Sequence, residues 1–269
     1  MTVESYSKYL YNAKDLQTEA KNILAHDPEQ WATWWYDFNR PPQNIIESFI
    51  FKSSRQHNIF HSYIGAEWWI REHTSIDSNW RFHADIDVGR REKDNEIHAA
   101  PFSTITYLCD SGQPTVLVDQ YVDWENTDEH IMGSNEWTLW CAPKLGKHIN
   151  WSIQYYHGVP ASYGVLDEGE TRITLMYNVW RHKPYAPECI EYNLPYEISK
   201  GEAHLDIKKD IEIPWLDPHG YFNCELEGFP ISMQYHGYYQ KHKTWLVSQY
   251  LPEGQNPIPH SPTQEHHSH

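Results

Sequence analysis

Residues 171–181 read TRITLMYNVWR. In an extended chain alternate residues share a face, so Arg172, Thr174 and Met176 line up on one side of an otherwise apolar strand. Working outward, runs of the same texture recur from residue 61 onward: WRFHADIDV (80–88), FSTITYLCD (102–110), PTVLVDQYV (114–122), EWTLWCA (136–142) and INWSIQYYHGV (149–159). Clusters of Gly, Pro, Asn or Asp separate them, as in a sandwich or barrel of short antiparallel strands. The first 60 residues read as helical. DLQTEAKNILAH (15–26) sets Leu16, Ala20, Ile23 and Leu24 on one apolar stripe, DPEQWATWW (27–35) has a helix-start proline at Pro28, and PPQNIIESFIFKSS (41–54) is a third helix candidate. The fold class is therefore α+β, mainly β: a jelly-roll core at 61–186 with an N-terminal helical segment at 1–60 packed on it. Prolines break up 187–250, which reads as an irregular extension wrapping the core, and the polar, proline-rich 251–269 reads as a disordered tail.

The totals narrow the function. Of 269 residues, 37 are acidic and 21 basic, for a formal charge of -16. Phosphates would be repelled over most of such a surface, so nucleic acid is not an expected partner. A cationic or zwitterionic small-molecule substrate fits the charge, although an acidic surface also serves solubility alone. The four cysteines (Cys109, Cys141, Cys189 and Cys224) form no CxxC pair, which points to a reducing cytoplasm rather than a disulfide scaffold or zinc ribbon. The start lacks the basic and apolar regions of a signal peptide, and no window approaches the ~20 apolar residues of a membrane span.

Chemistry concentrates in three places. In WRFHADIDVG, His83 and Asp85 sit two residues apart on one strand face, offering an imidazole and a carboxylate to one ion. Asp87 competes, but lies two strand steps (~13 Å) from His83. In GKHINWSIQYYHGVP the alternation ends at His157, before Gly158 and Pro160, placing an imidazole at a strand's mouth. His148 is the alternative ligand there, at a turn after Gly146 that suits a surface position. Arg172, in its apolar strand, calls for an anion, either an internal acid or a bound one. Trp68, Trp69, Arg81, Trp137, Trp140, Trp151 and Asn178 are candidate pocket residues, and the acidic stretch from Asp119 to Gly133 is a candidate substrate-covering loop.

The order HxD, distal His, then RxT resembles the Fe(II)/2-oxoglutarate-dependent dioxygenases, whose core is a double-stranded β-helix. The resemblance covers roughly Trp80 to Trp180. It implies that His83, Asp85 and His157 bind Fe(II) as the catalytic centre. It also implies that Arg172 pairs with the distal carboxylate of 2-oxoglutarate, that Thr174 hydrogen-bonds it, and that Tyr107 contributes its hydroxyl. Arg181 is the reserve for the basic residue. The implied reaction consumes O2 and 2-oxoglutarate, with ascorbate as a supporting reductant, and hydroxylates a small molecule such as an amino acid or natural-product intermediate. Related halogenases carry a small residue at the Asp85 place, so the carboxylate favours hydroxylation. Two alternatives stay open: a protein or peptide side-chain hydroxylase with the same iron centre, and a metal-free jelly-roll binding protein.

Overall fold

A computed structural model describes residues 3–6, 9–27, 32–73, 80–122, 131–132, 137–152, 154–159, 171–185, 189–191, 201–205, 211–212, 220–226, 229–239 and 244–248. The expected tail at 251–269, with His266, His267 and His269, lies outside the described residues, as do 123–130 and 133 of the acidic stretch. In chain order the elements are β1 (Val3–Tyr6), α1 (Ala13–His26), β2 (Thr33–Asp37), α2 (Ile45–Gln56), β3 (Gly65–His73), β4 (Trp80–His83), α3 (Val88–Asp94), β5 (Phe102–Tyr107) and β6 (Thr115–Val122). They continue with β7 (Ile131–Met132), β8 (Trp137–Cys141), β9 (His148–Trp151), β10 (Gln154–Val159), β11 (Arg172–Trp180), β12 (Cys189–Glu191), β13 (Ile211–Glu212), β14 (Gly220–Leu226), β15 (Phe229–Tyr239) and β16 (Thr244–Ser248).

Two sheets form a jelly-roll-like sandwich. One runs β12-β2-β3-β11-β5-β9-β1-β13 and the other β14-β15-β16-β8-β6-β10-β4, with β7 on β6. At their centres lie the quartets β3-β11-β5-β9 and β4-β10-β6-β8, between which the chain crosses repeatedly as it advances from β3 to β11. That alternation is the double-stranded β-helix, and it closes antiparallel pairs between strands far apart in sequence. Among the described residues no helix is long and apolar enough to cross a membrane. Cys109 and Cys141 are buried free thiols.

Helices α1 and α2 pack on the first sheet. The expected α1 stripe is buried through Leu16, Ala20, Ile23 and Leu24, and packs with Ile173, Leu175, Tyr177 and Val179 of β11 in one core cluster. In α2 the Asn44 side chain caps the Glu47 N–H at 2.8 Å. The Glu47 carboxylate in turn accepts the Gln43 N–H and both terminal nitrogens of Arg40, at 2.7 and 2.6 Å. Glu47 thus joins the N-cap to a fork-to-fork ion pair and reaches back to the residue before the cap.

Three expectations change. The stretch 27–35 is not one helix: Asp27 is the C-cap of α1 and Thr33–Asp37 is a strand, while residues 28–31 lie outside the described residues. Its aromatic side chains favour a sheet, and Trp34 pairs with Trp68 across β2 and β3, with ring centres 4.6 Å apart. His148 is fully buried in β9, stacked 4.3 Å from the Tyr9 ring, because the turn at Gly146 leads straight into the strand. The region 187–250 contributes strands to both sheets, β14 to β16 forming an antiparallel meander onto β8.

Because Glu47 is fully buried and Arg40 about a quarter exposed, Glu47→Ala strands a cation and loses the cap partner. A loss of about 2–4 kcal/mol in urea unfolding is expected, less than for a fully buried pair.

Candidate metal centre

β4 and β10 are antiparallel neighbours, and His83 stands directly opposite His157 in their register. Their ring centres are 4.7 Å apart. Asp85 joins them from beyond the end of β4 rather than from within the strand. Its N–H donates to Gln154 Oε1 at 3.1 Å, and its carbonyl accepts the Ala100 N–H at 2.9 Å. Gln154 is itself buried on β10, bonded to the Ala100 carbonyl at 2.7 Å and to Ser103. The loop is thereby pinned so that Asp85 Oδ1 lies 3.5 Å from His83 Nε2 and Oδ2 lies 3.7 Å from His157 Nε2. One ligand atom from each of the three residues falls within 4.8 Å of the others. Such separations suit three donors reaching for one ion at ~2.1 Å from each.

The protonation states fit a cation. His157 Nδ1 faces the Tyr155 carbonyl at 3.0 Å. A carbonyl only accepts, so Nδ1 carries the proton and the Nε2 lone pair points at the carboxylate. Burial pulls His157 below the usual imidazole value, against the opposite pull of Asp85. Burial would raise Asp85, but His157, His83 and the Asn178 amide outweigh it and bring the carboxyl down to about 2. The trio is thus an ionised carboxylate with two imidazoles, the donor set of a divalent metal with one face left open.

Asp87 is occupied elsewhere. It caps the short α3 by accepting the Arg90 N–H at 3.0 Å, and also meets the Tyr185 N–H at 3.1 Å and His182 at 3.2 Å. The chain has left the strand before reaching it, so Asp87 never shares the His83 face.

The trio opens onto a cavity of about 260 Å³ lined also by Arg172, Thr174, Met176, Asn178 and Trp180 of β11 and by Glu67, Trp69, Arg71 and His73 of β3. These two rows form its floor: the register sets Arg172 opposite His73, Thr174 opposite Arg71, Met176 opposite Trp69, and Asn178 opposite Glu67. Arg172 is 2% exposed, with Nε bonded to the Gln113 carbonyl and Nη2 to Thr115 Oγ1, both at 2.8 Å. Among the described residues no carboxylate pairs with it. Gly112, at a φ of 106°, lies on its stem, where an added Cβ would come within 2.7 Å of the Arg172 Cβ. Thr174 is buried with its hydroxyl unbonded. Burial first, then Arg172 and Arg71, depress His73 to about 3, so that end of the floor is basic with a neutral imidazole.

Tyr107 stands apart from the cavity. Its hydroxyl donates to the Cys141 carbonyl at 2.8 Å, and its ring centre lies 5.6 Å from the Arg172 guanidinium carbon. Arg181 is exposed beside Tyr63. Trp69 and Asn178 line the cavity, whereas Trp68, Trp140 and Trp151 are core; the Arg81 and Trp137 side chains lie outside what is described. Glu67, Arg71 and His73 escape sequence reasoning, although the alternation in GAEWWIREH already sets them on one face.

Asp85→Ala is expected to lower Co(II) affinity at least ~100-fold in anaerobic titration calorimetry with little change in the unfolding midpoint. A second expectation concerns Glu67, which burial pushes up to about 7 against the Thr33 hydrogen bond. A raised carboxyl pKa means the folded state holds the proton longer. Stability is then undiminished below the unfolded value and falls as pH rises through about 7, by ~3 kcal/mol at most. Urea midpoints at pH 5 and pH 8 should show this fall in the metal-free protein and lose it in Glu67→Gln.

No known family model matches the chain, and no curated protein matches its sequence. Among solved structures it is similar to a prolyl-4-hydroxylase of Pseudomonas putida, at 16% identity over 67% of this chain and 86% of that one, with a TM-score of 0.39. It is also similar to HygX of Streptomyces hygroscopicus with nickel and 2-oxoglutarate bound, at 10% identity over 72% and 88%, with a TM-score of 0.34. Likenesses this distant leave the site to be read from its own atoms.

Proposed function

We propose that this protein is an Fe(II)- and 2-oxoglutarate-dependent dioxygenase that hydroxylates a small molecule. The observation that carries the reading is the pairing, in one cavity, of a His-Asp-His trio with a buried arginine that has no carboxylate partner among the described residues. Either alone has ordinary explanations. A desolvated guanidinium opposite a three-donor metal face is a place for a dianion that also reaches the metal.

His83, Asp85 and His157 would hold the iron on one side and leave its other side to ligands. Arg172 would receive the far carboxylate of 2-oxoglutarate, its fork already aimed by Gln113 and Thr115 and its stem backed by Gly112 and Tyr107. The unbonded Thr174 hydroxyl, two residues along the same face, would donate to that carboxylate. When bound, iron and 2-oxoglutarate supply the activation of O2, with succinate and CO2 as the co-products. The protein supplies placement: a preorganised anion seat, a neutral His157, an ionised Asp85, and walls of Trp and Met that exclude water. Asp85 fills the third ligand place with a carboxylate, which supports hydroxylation over halide transfer.

Anaerobic addition of Fe(II) and 2-oxoglutarate should produce a visible metal-to-ligand charge-transfer band, and admission of O2 should release succinate. Arg172→Ala should weaken 2-oxoglutarate binding about 30-fold or more, the equivalent of ~2 kcal/mol for a lost charged hydrogen-bond pair, while metal affinity holds. No band with the wild-type chain, or unchanged 2-oxoglutarate affinity in the variant, overturns the reading.

A further inference from the structure

We propose that the end of the cavity floor opposite Arg172 is a seat for a substrate ammonium group, held between Glu67 and Asn178, so that the substrate is a small cationic amine. This rests on the dioxygenase reading of the same cavity and names what that reading leaves open. Glu67 and Asn178 are direct cross-strand partners on the cavity face of β3 and β11. Both are buried, Glu67 to 8% and Asn178 to 2% exposure. Neither is claimed by the metal trio's ligand set or by the arginine seat.

Together they offer two buried acceptor groups, the Glu67 carboxyl being the one that burial leaves holding a proton until about pH 7. Glu67 accepts from the Thr33 hydroxyl at 2.8 Å and is approached by the Trp180 side chain, and it forms no ion pair among the described residues. Asn178 Oδ1 is buried with no hydrogen-bond partner. Its amide nitrogen is engaged by Asp85, which leaves the oxygen over. Buried acceptors in this state are costly unless something donates to them. An ammonium brings three N–H donors and the positive charge that would hold the buried Glu67 carboxyl ionised. A neutral hydroxyl would satisfy the hydrogen bonds but not the charge, and a carboxylate would be repelled.

The surroundings agree. One step to either side of the row stand Trp69 and Trp180, both lining the cavity, whose ring faces favour a cation over an anion. The opposite end holds Arg172, Arg71 and His73, which disfavours an ammonium there. The floor thus reads from basic to acidic along β11, and a molecule with one cationic end has one way to lie on it.

The test uses n-butylammonium as the probe, with n-butanol and butyrate as neutral and anionic controls of the same chain length. Saturation-transfer NMR on the full chain, both metal-free and loaded with redox-silent Zn(II) plus 2-oxoglutarate, reads their binding. n-Butylammonium should bind at least about tenfold tighter than either control, and Glu67→Gln should abolish that preference while Zn(II) and 2-oxoglutarate affinities stay within about twofold. Equal binding of the three probes to the wild-type chain overturns the proposal without any variant. A preference that survives in Glu67→Gln also overturns it, and assigns Glu67 to structure alone. If the dioxygenase reading fails instead, 2-oxoglutarate does not bind, yet the metal-free chain still shows the Glu67-dependent preference.

Discussion

The period-two alternation of β11 is the constraint on which the rest depends. Ile173, Leu175, Tyr177 and Val179 face the helices and are fully buried in the core cluster; Arg172, Thr174, Met176, Asn178 and Trp180 face the cavity. A slip of one residue against β3 or β5 would exchange the two sets. With each buried apolar side chain contributing roughly 1.5–3 kcal/mol, the exchange would cost on the order of 5–10 kcal/mol, comparable to the whole net stability of a domain. The apolar face therefore fixes the functional one. Every cavity residue on β3 inherits its place from the same register.

The second sheet carries the other half of the chemistry. β4 and β10 deliver the imidazoles by direct opposition, and a loop pinned through Gln154 delivers the carboxylate. Behind the first sheet, a buried polar seam locks α2 in place: the Ser53 hydroxyl meets the Tyr177 hydroxyl at 2.7 Å and the Tyr9 hydroxyl at 3.0 Å. His148, stacked on Tyr9 and bonded to Thr106 at 2.8 Å, extends that seam from β9. These contacts hold the floor rigid from the side away from the cavity, which is what a site that must keep donors preorganised requires.

What the sequence makes legible is local. The alternation of β11, the apolar stripe of α1 and the helix within 41–54 rest on neighbours within a few residues, and they are read correctly. His83, Asp85 and His157 are named together, although Asp85 reaches the site through a pinned loop and not through strand geometry. The misread positions are those settled by distant partners. Thr33–Asp37 is a strand because β3 lies beside it, and His148 is buried because Tyr9 covers it. Tyr107 lies beneath Arg172 instead of facing the cavity, a choice made by the Cys141 carbonyl. Glu67 is invisible as a site residue because its partner Asn178 lies across a register that no local pattern specifies.

That register also explains why the cavity tolerates unneutralised charge. Arg172 and Asn178 are six residues apart on one strand, ~20 Å at ~3.3 Å per residue, and Glu67 and Arg71 are ~13 Å apart on the other. Across such distances the basic and acidic ends attract too weakly to compensate each other. The row of Met176 and Trp69 keeps them apart, so neither end can collapse onto the other. Folding has already met the desolvation cost of Arg172, while Glu67 avoids its own by holding a proton until about pH 7. A ligand that brings the missing counter-charge to either end favours the ionised pair on binding. A floor built this way selects by charge order along its length: an anion at Arg172 and a cation at Glu67, with Asp85 of the metal trio beside Asn178.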